Sequence, residues 1–240
     1  MTKFGSVLIQ LASVDSTNNY AANLIEQGSC QDGSVIMADY QTHGRGQRGN
    51  SWQSVSSNLL FTLAFQPKFV LEEQIRCSWY VALVWQQCLR RFNVAAQIKW
   101  PNDLFVNGQK IGGILIEQQL KGQQIDWCLV GCGLNINEAP TNLKATSLFN
   151  ELGQKFKPLT VLLEFLDLLN GQQALLYGDF SVLKARYEAE LYLKGVEHSF
   201  KHADGTFFKG KIMGVTENGM LQIETEQQTQ TFENQQIKFA

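Results

Sequence analysis

KWPNDLFVNGQKIGGILIE, residues 99 to 117, opens polar and closes apolar, with Trp100, Pro101, Asn102 and Asp103 lying between the cation Lys99 and the apolar pair Leu104 and Phe105. At its centre stands Asn107-Gly108, a dipeptide that accepts positive φ at both positions and so favours a two-residue hairpin turn. The turn should fold Phe105-Val106 back on Lys110-Ile111. Just beyond it come Gly112 and Gly113, whose missing β-carbons would let a ligand lie against the backbone. Two lysines, an asparagine and an aspartate therefore gather around a bare patch. The plain alternative is an ordinary hairpin with solvated lysines.

Two further segments weigh against that alternative: GRGQRGNSW at residues 44 to 52 and GCGLNIN at residues 131 to 137. With KWPND they make a three-part signature in fixed order, and here the sequence resembles the biotin protein ligases, which adenylate biotin and attach it to a lysine of a carrier protein. The resemblance covers nearly the whole chain. It implies an α+β fold: a catalytic domain on a mixed β-sheet of the class II aminoacyl-tRNA synthetase and biotin synthetase type, with a small C-terminal SH3-like β-barrel. Residues 1–194 would form the catalytic domain and 195–240 the barrel.

Composition agrees with a globular protein. The chain has 240 residues, 44% of them hydrophobic and 18% charged, enough to bury a sizeable core. A net charge of -2 offers no general attraction for nucleic acid, which needs a basic face to displace counterions. Five cysteines, odd in number and without a CxxC pair, suggest neither a disulfide framework nor a zinc site. The N-terminal MTKFGSVLIQ lacks a signal-peptide core, and no apolar run is long enough to cross a bilayer, so a cytoplasmic protein without membrane partners is expected.

Taken in order, residues 7–11 read as a first strand, and Asp15 or Ser16 as the N-cap of a helix running to about Gly28. A strand over 34–41 leads into the glycine loop. Gly44, Gly46 and Gly49 match GxGxxG, but that dinucleotide fingerprint requires a helix starting in the loop, and Asn50-Ser51-Trp52 with the SVSSN after it starts one poorly. A Rossmann site is therefore rejected. Strands follow at 59–65, 95–100 and 125–130, the last running into the glycines of GCGLNIN, and a long helix spans 71–92 with Glu72 and Glu73 at its positive end. Helices are expected over 160–177 and 180–193. Beyond Gly195, short alternating runs punctuated by Asp204-Gly205 and Asn218-Gly219 read as five strands. His198 and His202 are four apart, which would suit a metal only on a helix, so none is assigned to them.

The resemblance also assigns site residues. Ser16, Thr17 and Asn18 would bond the ureido ring of biotin, a role that can coexist with capping, and Gln41, Gly44, Arg45, Gly46, Gln47, Lys110 and Gly113 would complete the biotin site. The nucleotide would take Arg45, Arg48, Trp52, Asn102, Lys110, Gly133 and Asn135. Trp52 either packs across the adenine or anchors the loop. Lys110 would contact carboxylate and α-phosphate, Arg45 would share the clamping of phosphates, and Asp103 would accept the proton of the incoming amine, which makes these three the catalytic set. Magnesium is expected on the phosphates of ATP, with Asn102 and Glu117 as possible polar ligands, while no dedicated protein metal site is assigned.

The family commonly carries Arg or Lys where this chain has Gln47, a position tied to holding the adenylate, and a neutral amide grips an anion less well than a guanidinium. The expected partner is a biotin carboxyl carrier protein, with the ligase a monomer or a homodimer. A lipoate or octanoate ligase or transferase of the same fold is the main alternative, which GRGQRGNSW with KWPND disfavours. A noncatalytic binding module ranks below both. Repressor activity is not expected, because a first strand beginning by Val7 leaves no room for an N-terminal helix-turn-helix.

Overall fold

The computed structural model describes residues 2–53 and 55–240, and the side chain of Arg48 lies outside the described residues. In chain order the elements are β1 (Leu8–Leu11), α1 (Thr17–Glu26), β2 (Ser34–Ala38), β3 (Leu59–Phe65), α2 (Ile75–Arg91), β4 (Gln97–Lys99), β5 (Asp103–Val106), β6 (Gln109–Lys121) and β7 (Gln124–Leu134). The short α3 (Leu148–Leu152) follows, then α4 (Pro158–Gly171), α5 (Gln173–Tyr177) and α6 (Phe180–Ala189). The chain ends with β8 (Glu197–His202), β9 (Phe207–Val215), β10 (Leu221–Glu224), β11 (Thr229–Phe232) and β12 (Ile237–Phe239).

Strands β1 to β7 form a mixed seven-stranded sheet in the order β1-β2-β3-β7-β6-β5-β4, parallel at β1-β2 and antiparallel elsewhere. Its two faces follow from side-chain alternation along the central strands. Leu59, Phe61, Leu63 and Phe65 of β3, with Cys128, Val130, Cys132 and Leu134 of β7, point into the main core beneath α2 and α4. Ala64 and Leu129 point the other way, into a smaller cluster with Ala21 of α1 and Ile36 of β2. On that second face α1 covers only part of the sheet, and the remainder floors a cleft. Trp79 of α2 stacks on Phe180 and Tyr187 with ring centroids 5.3 and 5.0 Å apart, locking α6 onto the core.

The expected α+β architecture is present, with a separate five-stranded antiparallel sheet at the C-terminal end, in the order β11-β10-β9-β8-β12. Asn107 and Gly108 take φ of 50° and 73° in the β5-β6 hairpin, as its turn chemistry requires. His198 and His202 lie on β8 and pack against aromatic rings, His202 at 4.3 Å from Phe208.

Several boundaries differ from expectation for identifiable reasons. The buried strand expected over 34–41 stops at Ala38 and is buried at all five positions, because it lies between β1 and β3 with both faces covered. Leu71–Glu73 form a 3-10 turn, so Glu72 and Glu73 precede α2, and Glu73 pairs with Arg76 at 3.0 Å. The helix expected over 160–177 breaks between Gly171 and Gln173. The next helix ends at Ala189, since Leu191 is drawn into a bridge with Ile98 on the edge of the sheet. Strand β7 runs to Leu134, past the expected end at Val130, which puts Gly131 and Gly133 inside the ladder.

Candidate functional site

Gly113, Gly131 and Gly133 lie on the α1 face of β6 and β7, Gly131 against Asn18 at the start of the helix and Gly113 and Gly133 beyond it, directly opposite each other in the register. Bare backbone at these points makes the floor of a cleft of about 420 Å³, a volume suited to a small molecule. A Cβ at Gly131 would fall 2.5 Å from Asn18 Oδ1, and one at Gly133 would fall 2.6 Å from Cζ2 of Trp52. Gly112, by contrast, faces the core, where a Cβ would meet Leu134 at 2.8 Å, so its smallness serves packing.

One end of the cleft is a chain of buried polar side chains. Gln41 Oε1 accepts from the backbone N-H of Thr17 at 2.8 Å and from its hydroxyl at 3.1 Å. The start of α1 is thus satisfied from a neighbouring segment, and the Ser16 side chain, expected as a cap, makes no capping bond. Thr62 Oγ1, 2.8 Å from Thr17 Oγ1, donates to Asn18 Oδ1 at 2.5 Å, and Asn18 Nδ2 donates to Glu117 Oε2 at 2.7 Å. The same carboxylate oxygen takes Arg45 Nη2 at 2.5 Å. A hydroxyl donor on one side and a carboxylate acceptor on the other fix which way the Asn18 amide points.

At the other end the hairpin turns inward and sets Lys110 Nζ 2.5 Å from Asp103 Oδ1, beside Gly113. Trp52 lies over Gly133, its ring centroid 5.5 Å from Lys110 Nζ, and its indole N-H is buried without a hydrogen-bond partner among the described residues. Lys99 sits between the rings of Phe105 and Phe239, 4.4 and 4.8 Å from their centroids, and burial pulls its pKa below the ordinary lysine value, against the pull of Asp103.

Ser16, Thr17, Asn18, Gln41, Arg45, Gly46, Gln47, Trp52, Asn102, Asp103, Lys110, Gly113 and Gly133 all line this one cleft, although they come from six separate stretches of chain. Gly44 lines an adjoining hollow under the same loop. Asn135 lies outside the cleft lining: it is buried, and its amide donates to the Thr146 carbonyl at 3.0 Å, holding the segment that pairs with Lys110. The expected phosphate contact of Arg48 falls on a side chain outside the described residues. Arg45 and Asn18 both engage Oε2 of Glu117, so a metal ion there would compete with two donors, whereas Asn102 donates its Nδ2 to the Ile114 carbonyl at 2.6 Å and a cation would be met by its Oδ1. Among the described residues no three His, Cys, Asp or Glu side chains gather as a metal cage.

Sequence reasoning missed Thr62, which sits inside the apolar run LLFTLAF; a lone threonine on the face opposite the core was the available signal. It also missed that Asn234, Lys238 and Phe239, beside and on β12, form one wall of the cleft. The glycine loop reaches that wall, where Asn234 Nδ2 donates to Gln47 Oε1 at 2.9 Å. The loop itself contains no α-helix, only a 3-10 turn over Gln47–Gly49, so the rejection of a dinucleotide fingerprint stands.

The chain that builds this glycine-floored cleft between a polar turn, an arginine-bearing loop and a Lys-Asp hairpin is matched over residues 11–135, just over half its length, by the model of the biotin/lipoate A/B protein ligase family. The chain belongs to that family. It is 27% identical over 221 residues to the bifunctional ligase/repressor BirA of Bacillus subtilis, an alignment covering 88% of this chain and 68% of that protein. It is 33% identical over 169 residues to the biotin-[acetyl-CoA-carboxylase] ligase of Paracoccus denitrificans, covering 66% of this chain and 68% of that one. The biotin protein ligase from Aquifex aeolicus, solved in complex with biotin and ATP, aligns with a TM-score of 0.79 at 25% identity, over 98% of this chain and all of that one.

Proposed function

We propose that the protein is a biotin-[biotin carboxyl carrier protein] ligase, which joins biotin to AMP at the expense of ATP and then passes the biotinyl group to a carrier lysine. The observation that carries this reading is the Lys110-Asp103 pair, 2.5 Å apart at the glycine floor and beneath the arginine loop. In the first step a carboxylate oxygen of biotin attacks the α-phosphorus and pyrophosphate leaves. Two anions must meet, and Lys110 places a fixed cation between them, the kind of preorganised charge on which phosphoryl transfer depends. Lys99 adds a second cation along the same wall. In the second step the carrier amine attacks the mixed anhydride, AMP leaves, and Asp103 takes the amine's proton once the substrate has drawn Lys110 away.

Ser16, Thr17 and Asn18 are assigned to the ring of biotin and the Trp52 side of the cleft to the nucleotide, supported by their places at its two ends. The donor set suits a magnesium ion carried in on the nucleotide, held mainly by phosphate oxygens and water with Asn102 as the protein's contribution; such an ion neutralises phosphate charge. Residues 1–194 and 195–240 are read as catalytic and appended domains, in keeping with the two separate sheets. Five unpaired cysteines suit a reducing cytoplasm.

Pyrophosphate release should be measured with ATP and each of biotin, lipoate and octanoate, followed by the mass of a purified carrier domain. Release with biotin alone and a carrier heavier by one biotinyl group is expected. Release only with lipoate or octanoate would replace this reading by that of a sister ligase.

A further inference from the structure

We infer that Glu117 is a positioning residue: it holds Arg45 while the cleft is free of ligand and yields it to the anionic substrate, keeping Asn18 aimed at the cleft throughout. This rests on the ligase reading above and adds to it a group that orders the loop. The loop is a small hairpin closed by Gly46 N-H to Asn50 O at 2.7 Å and Trp52 N-H to Gly44 O at 2.9 Å, with Arg45 opposite Ser51. Its cation leans on Glu117 through a single carboxylate oxygen at 2.5 Å, with side chains 42% and 33% exposed.

That geometry makes the contact easy to exchange. A half-exposed ion pair contributes little net stability, whereas a guanidinium facing a carboxylate or phosphate can bind with two parallel N-H bonds. An incoming anion therefore has the better offer for Arg45. Releasing it leaves no stranded charge, since Glu117 keeps the Asn18 amide at 2.7 Å and remains a third exposed to water. Asn18 in turn cannot rotate freely, because Thr62 holds its oxygen and the sheet at Gly131 closes on it. One carboxylate thus joins the turn that receives one end of the substrate to the loop that closes over the other.

The test is hydrogen exchange at the Gly46 and Trp52 amides, read by mass spectrometry on the loop peptide of the full chain. In Glu117→Gln without ligand, exchange should run about threefold to fivefold faster than in the parent, the scale of one exposed ion pair. With saturating biotin and ATP the two proteins should exchange equally, because Arg45 then has another partner. Arg45→Ala should match Glu117→Gln in the free state, and the double variant should add nothing. Equal exchange in the free proteins would overturn the inference, as would faster exchange in both states, which marks a merely structural carboxylate. If biotin and ATP slow exchange in neither protein, the ligase reading fails and the substrate exchange with it, a result separate from the comparison of the free proteins.

Discussion

Lys110 Nζ stands 2.5 Å from Asp103 Oδ1, and each is about a quarter to a third exposed at the cleft floor. The acid and the cation assigned to opposite half-reactions thus hold each other before substrate arrives. Lys110→Met should lower biotin-dependent pyrophosphate exchange by about 10²- to 10³-fold, the usual effect of deleting one preorganised charge at a transition state. Asp103→Asn should leave adenylation closer to the parent rate while slowing transfer to the carrier by about 10²-fold or more, the share of a general base. Rapid-quench assays of the two half-reactions separate these outcomes, and equal loss in both steps for Asp103→Asn would refute the division of labour.

Gly133 and Trp52 form the tightest contact on the floor, since a Cβ at the glycine would enter the indole ring. Gly133→Ala should cost about 1–3 kcal/mol in a urea titration, as overpacking does. Trp52→Ala in the same chain should recover most of it, because the clash is with that ring. If Gly133→Ala costs the same with and without the ring, Trp52 does not rest where the structure puts it.

How much of this was legible beforehand divides along a physical line. Asn107-Gly108 announced its turn because two consecutive positive φ values are a local demand, answered by the identities of those two residues. The bare floor was legible as glycines, yet nothing in GCGLNIN distinguished a strand interior from a strand end; the extra residues of β7 are held on both sides, by residues 112–115 of β6 and by residues 59–62 of β3, the latter about 70 positions away in sequence. Glu117 read as a polar ligand for magnesium, and its pairing was not legible because its partners, Asn18 and Arg45, come from segments 99 and 72 residues away. Helix ends failed for the same reason: Ala189 ends α6 because Leu191 is needed on the edge of the sheet.

Glu188 joins α6 to the five-stranded sheet. It accepts from Lys184 at 2.7 Å and from the Val215 N-H at 3.0 Å, and a Cβ at Gly214 would run into its carboxylate. Burial pushes its pKa up, but the bonds from Lys184 and Val215 and the charges of Lys184 and Lys194 outweigh this and leave it below the usual glutamate value. A carboxyl with a depressed folded-state pKa adds stability above its unfolded value of about 4.5 and loses it as pH falls through the folded value. Glu188→Gln should therefore lower the urea midpoint at about pH 7 and flatten its fall below about pH 4.5. Gly214→Ala should weaken the joint at every pH, and parallel pH profiles for the parent and Glu188→Gln would contradict the assignment.

Gln47 and Asn234 meet at 2.9 Å, the amide of the loop accepting from the C-terminal segment. The family's more usual cation at position 47 could not accept that bond, so the exchange of residues alters the tether as well as the charge. Asn234→Ala should shorten the lifetime of bound biotinyl-AMP by about twofold to tenfold, the worth of one neutral hydrogen bond. Gln47→Arg should lengthen it instead, since a charge-assisted bond to the phosphate is roughly twice as strong as the neutral bond given up. Release of labelled adenylate from the parent and the two variants checks both statements, and an unchanged off-rate in Gln47→Arg would show that position 47 does not grip the intermediate.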